Sequence, residues 1–65
     1  MRARDEIAVW LRAEGWTYVR RTGSGHTQWR HPHAAALLIV PWSGGRRSNM
    51  HTMRTARRLL GADHK

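Results

Sequence analysis

The chain has no cysteine, so apolar packing alone has to hold it together. Disulfides, thiolate nucleophiles and cysteine-ligated zinc are excluded together. Its 65 residues leave room for one small domain, residues 1–65, with 62–65 read as a frayed tail. A domain of that size buries only about 60% of the surface its unfolded form exposes. Every amphipathic stripe must therefore find a partner, and hydrophobic periodicity becomes the main guide to the fold.

Residues 3–14 predict a helix, because Ala3, Ile7, Trp10 and Leu11 gather on one face at about 3.6 residues per turn. Asp5 and Glu6 near its start and Arg12 near its end suit the helix dipole. Gly15 suits the left-handed position that stops a helix. Residues 16–22, rich in aromatic and β-branched side chains, predict a strand. Its alternation separates Trp16, Tyr18 and Arg20 from Thr17, Val19 and Arg21. Gly23-Ser24-Gly25 predicts a turn and residues 26–31 the returning strand, ended by Pro32. Residues 36–40 predict a third strand. Being apolar on both faces, it is expected at the centre of the sheet or under a partner.

A glycine-bearing basic loop over residues 42–47 then leads to a second helix. Ser48 or Asn49 is the expected cap, Leu60 the expected end and Gly61 the stop. Met50, Met53, Ala56, Leu59 and Leu60 spread over its apolar face. His51, Arg54 and Arg58 lie opposite, with Arg57 at the stripe edge. The order is α-β-β-β-α, an α+β fold. A three-stranded antiparallel sheet with both helices on one face is the simplest arrangement that buries both stripes.

Charge narrows the partners. Lys+Arg 12 against Asp+Glu 4 gives a net charge of +8, which calls for nucleic acid, an acidic protein or a membrane surface. The longest wholly apolar run, residues 34–41, falls far short of the ~20 residues of a membrane helix. The N-terminus lacks the apolar core of a signal peptide, so a cytoplasmic protein without membrane association is expected. Asp5, Glu6, Glu14 and Asp63 all lie near the ends, leaving the middle without a carboxylate pair or a two-metal cluster. No metal and no small-molecule cofactor is expected. Any catalysis falls to histidine or arginine.

His26, His31 and His33 cluster around the second strand. Alternation sets His26, Gln28 and Arg30 on one face, and Thr27, Trp29 and His31 on the other. The bulky Trp29 belongs against the helices, which turns His26 outward beside Arg30. An imidazole, whose ordinary pKa is about 6.5, can act as a general base at neutral pH. Neighbouring guanidiniums can hold a phosphodiester and stabilise its transition-state charge. In a metal-free ribonuclease the base removes the proton of a ribose 2′-hydroxyl, which then attacks the adjacent phosphorus. That chemistry needs neither carboxylate, thiol nor metal, and it confines the substrate to RNA.

The plainer reading of His26 is a solvated strand residue. A zinc site from His26, His31 and His33 is opposed by the alternation that splits the first two. His31, before Pro32, reads as a packing and turn residue, and His51 and His64 as solvated. Arg46, Arg47, Arg54, Arg57 and Arg58 would track phosphates with a salt-dependent affinity, or else form a solvated helix face. Arg20, Arg21, Arg30, Arg46, Arg47, Arg54 and Arg58 are the candidate RNA contacts, with His26 the candidate catalyst. Trp10, Trp16 and Trp29 read as core, and Trp42 is the one placed to touch RNA or a partner.

The stretch Gly15-Trp16-Thr17-Tyr18-Val19-Arg20-Arg21, followed by Ser24-Gly25-His26-Thr27-Gln28-Trp29-Arg30-His31-Pro32, resembles the HicA toxin family of small mRNA interferases. That family's pattern runs glycine-aromatic, a strand ending in basic residues, Gly-Ser-His, an aromatic three residues on, and His-Pro. Pro41 matches the proline after its third strand, Thr52-Met53-Arg54-Thr55-Ala56 its Thr-Leu-Arg-Ser-Ile helix, and Gly61 its terminal glycine. The resemblance covers residues 4–61. It implies a fold like the double-stranded-RNA-binding domain, RNA cleavage by the motif histidine, and neutralisation by an acidic HicB-type antitoxin. The motif here reads Ser24-Gly25-His26, with its first two residues exchanged, and counting back from His31 carries the catalytic role to His26 alone. Tyr18, His31, Arg30 and water are the open choices for the general acid. mRNA and the antitoxin are the expected partners. Two rivals remain: a non-catalytic RNA-binding module using the surface between Arg46 and Arg58, and an accessory subunit that folds only with an acidic partner. DNA binding is disfavoured, since no helix-turn-helix spacing is present.

Overall fold

Helix α1 spans Ala3–Ala13 and buries Ile7 and Leu11, the stripe its periodicity announces. It ends as expected: Gly15 takes a φ of +98°, and the Trp16 N–H reaches back to the Leu11 carbonyl at 2.9 Å. Strands β1 (Thr17–Arg21), β2 (Thr27–Arg30) and β3 (Leu38–Val40) follow, and helix α2 (Arg46–Gly61) completes the α-β-β-β-α order. The structure, a computed structural model, describes residues 2–41 and 45–61. The expectations for Trp42 and for the tail at 62–65 lie outside these residues.

The sheet is antiparallel in the order β1-β2-β3. In β2, Thr27 and Trp29 are buried while Arg30 is exposed, and Trp29 pairs with Leu38, Thr27 with Val40. These inward residues share one core with Ile7, Leu11, Trp16 and Ala56, so both helices contribute to the same side of the sheet. This is the expected α+β architecture, and it is consistent with the double-stranded-RNA-binding-domain fold. The Trp29 indole N–H donates to the Thr27 hydroxyl at 3.0 Å, which satisfies the donor inside the core. The Trp16 indole N–H is buried without a hydrogen-bond partner among the described residues.

Three expectations need correction. The third strand is an edge, which removes the central place and leaves the other expectation, a partner over its outer face: short connections join neighbours in sequence order, and the central place goes to β2. Its apolar character on both faces reflects an outward Ile39 left 46% exposed, not burial from two sides. Second, β1 does not alternate regularly. The register slips between Tyr18 and Arg20, so Val19 is the extra residue of a bulge. Tyr18 pairs with Trp29 and Arg20 with Gln28, which moves Arg20 off the face of Trp16 and Tyr18.

Third, α2 starts earlier than its capping signals suggest. The Asn49 N–H already donates to the Gly45 carbonyl at 2.9 Å, so Arg46 and Arg47 lie in the first turn, not in a loop. Asn49 is no cap because it already lies inside the helix; its side-chain amide instead donates to the Ala3 carbonyl at 2.7 Å. Gly61 belongs to the helix. The buried stripe is Asn49, Thr52 and Ala56, whereas Met50 is 62% exposed. Met53, Leu59 and Leu60 of the expected apolar face pack half-buried against the core.

Candidate functional site

The face of the sheet turned away from the helices is where the sequence places its chemistry. On β2 the outward row is Gln28 and Arg30, extended to His26 by the pairing of Thr22 with His26 at the hairpin end. The loop that presents His26 is tightly closed. The Gly25 N–H donates to the Thr22 carbonyl at 3.0 Å, and the Thr22 N–H donates to the His26 carbonyl at 2.7 Å. The Thr22 hydroxyl reaches the same carbonyl at 3.2 Å and lies 3.0 Å from the Ser24 hydroxyl. Gly25 has a φ of +93°, a conformation that a side-chain-bearing residue rarely adopts. His26 is therefore fixed through its backbone, while its ring is exposed and makes no hydrogen bond among the described residues.

The bulge at Val19 decides which arginine joins it. Arg20 lies opposite Gln28, one step along the face from His26, and Thr17 lies opposite Arg30. Arg21 lies opposite the buried Thr27, on the helix side. Of the three hairpin arginines singled out by sequence, Arg20 and Arg30 share the face of His26 and Arg21 does not. Gln28, half-buried at the middle of this face, was not singled out by sequence. Its signal was present in the alternation, since it sits between His26 and Arg30, but an uncharged amide attracts no attention there.

The choices for a general acid also separate. Tyr18 lies on the inward row, edge-on to the Trp29 ring at 5.6 Å between centroids. His31 has both ring nitrogens occupied. Nε2 lies 3.1 Å from the Glu14 carbonyl, to which it must donate, and Nδ1 accepts the His33 N–H at 3.0 Å. Its ring meets Trp16 edge-on at 5.2 Å. It clasps the end of α1 to the end of β2, the packing role that its place before Pro32 suggests.

The helix arginines stand apart from His26. Arg46, Arg47, Arg54 and Arg58 are exposed on the side of α2 away from its buried stripe, hence away from the sheet. The guanidinium of Arg57 lies over the Trp10 ring at 5.6 Å, which extends the packing of that half-buried indole. The basic candidates thus form two surfaces on opposite sides of the molecule. Among the described residues no group of three His, Cys, Asp or Glu side chains gathers to hold a metal ion. No helix there is long and apolar enough to cross a membrane.

A family model described as the HicA toxin of bacterial toxin-antitoxin matches residues 4–60. The chain belongs to the HicA toxin family. No significant match was found among curated proteins or among solved structures. The match takes in every strand, so the HicA hairpin carrying His26 and the face carrying Arg20 and Arg30 lie wholly inside it. Chemically, that face carries Arg20 and Arg30 on the strand row that ends at the exposed His26, basic groups of a kind suited to an anionic ester.

Proposed function

We propose that this HicA toxin is a metal-free endoribonuclease acting on mRNA, with His26 as its general base. The observation that carries the reading is the exposed His26, whose ring makes no hydrogen bond among the described residues, at the hairpin end of the row that also bears Arg20 and Arg30. His26 takes the proton of a ribose 2′-hydroxyl, the 2′-oxygen forms a bond to phosphorus, and the bond to the 5′-oxygen breaks. The products are a 2′,3′-cyclic phosphate and a 5′-hydroxyl. Arg20 and Arg30 hold the non-bridging oxygens and stabilise the charge that grows there. The 5′-oxygen takes its proton from water: Tyr18 lies on the inward row, His31 has both ring nitrogens engaged, and an arginine does not give up its proton in proteins.

Membership of a toxin family supports an antitoxin partner, and the charge of +8 supports an acidic one of HicB type. The test is incubation of wild type and His26→Ala with labelled RNA in EDTA, followed by a denaturing gel. Wild-type cleavage to cyclic phosphate ends, lost in His26→Ala, is the expected outcome. Full activity in the variant removes His26 from the mechanism. RNA binding without cleavage by either protein assigns the chain to RNA binding alone, through the arginines between Arg46 and Arg58.

A further inference from the structure

Helix α2 carries Arg46, Arg47, Arg54, Arg57 and Arg58 and not one acidic residue. At about 100° per residue these five cations fall within an arc of about 120°, whose centre is turned about 150° from that of the buried stripe of Asn49, Thr52 and Ala56. The arrangement opposes folding in two ways. Arg46 and Arg47 sit at the positive end of the helix dipole, and Arg54 and Arg58, four residues apart, repel each other. No carboxylate of the described residues pairs with any of the five. An anionic occupant relieves both strains.

Charge alone does not separate a nucleic acid from a protein, but the middle of the arc does. Met50 lies there, 62% exposed, between Arg46 and Arg54 on the same row. With Met53, Arg54 and Arg57 it lines a cleft of about 260 Å³. A phosphate backbone gains nothing from a thioether, and bases stack on aromatic rings, not on methionine. An apolar, adaptable centre ringed by cations is the complement of a protein segment with one apolar anchor among carboxylates.

We propose that the solvent face of α2 is a docking surface for an acidic amphipathic segment of a partner protein, with Met50 seating the apolar anchor and Arg46, Arg47, Arg54 and Arg57 pairing with the carboxylates around it. This deepens the reading of an acidic antitoxin and rests on it. It also divides the molecule's labour. The surface lies on the far side from His26, so a segment docked on α2 holds the partner without covering the catalytic face.

The experiment uses the full chain and a fluorescent 16-residue helical peptide, rich in glutamate, with a single leucine at its centre. Affinity is read by anisotropy at 150 mM salt. The expected result is a loss of about tenfold in Met50→Gln, which leaves every charge in place, and a similar loss when the peptide leucine becomes serine. Binding of a 12-base-pair RNA duplex and of single-stranded RNA stays within twofold in Met50→Gln. Circular dichroism checks that the exposed substitution leaves the fold intact. Three results overturn the proposal: no peptide binding by wild type, equal binding by Met50→Gln, or a duplex affinity that falls as far as the peptide's. Cleavage by Met50→Gln continues at the wild-type rate, so failure here is distinct from failure of the His26 assignment.

Discussion

Replacing Gly15 with alanine tests the clasp between α1 and β2. A Cβ at that position would lie 2.8 Å from His31 Nε2 and 3.3 Å from its Cδ2, inside the ordinary contact limit. The φ of +98° adds strain for any L-residue, about 1–2 kcal/mol. To escape the contact, the His31 ring must give up its bonds to Glu14 and His33, worth about 0.5–1.5 kcal/mol each. The sum is about 2–5 kcal/mol, a large share of the 5–15 kcal/mol typical of a whole domain. At about 4–8 °C per kcal/mol for so small a domain, the melting temperature should fall by about 8 °C at the least. His31→Ala removes the same two bonds and the obstacle with them. In that background Gly15→Ala should therefore cost only the backbone strain, leaving a coupling of about 1–3 kcal/mol between the two sites. Thermal and urea melts of the four proteins measure the cycle. Additive losses, agreeing within about 0.5 kcal/mol, would refute the contact on which the reasoning depends.

The remaining tests are simpler. His26→Ala should change stability by less than about 0.5 kcal/mol, because the ring is exposed and makes no hydrogen bond among the described residues; a larger drop in a urea melt would give it a structural role. Arg20→Gln should lower RNA cleavage about tenfold or more, the worth of a charge-assisted hydrogen bond, while Arg21→Gln stays within about twofold. Equal losses would place the bulge elsewhere. Thr27→Val strips the Trp29 indole of its acceptor inside the core, and calorimetry should record a loss of about 1–3 kcal/mol.

Much of this was legible because a chain this short wastes few apolar residues. Ile7 and Leu11 announced α1, and Trp29 announced which face of β2 turns inward and so where His26 turns. What escaped is long-range by nature. Nothing in the run Tyr18-Val19-Arg20 marks a bulge, since Tyr18 turns inward in either register, and the choice is made by what lies opposite on β2. Asn49 reads as a cap from its neighbours alone. Its actual partner, the Ala3 carbonyl, lies 46 residues away, beyond any local pattern. Met50 reads as core for the same reason, and only the docking of α2 through Asn49, Thr52 and Ala56 turns it to solvent.

That bond between Asn49 and Ala3 also fixes an order of events. Synthesis delivers α1 and the hairpin first, yet the core they share stays open until Asn49 and Ala56 arrive from the second helix. A nascent chain halted after β3 has its hairpin but no lid on Leu11, Trp29 and Leu38. The hairpin that carries the proposed catalytic face thus rests on a core that only the last element of the chain completes.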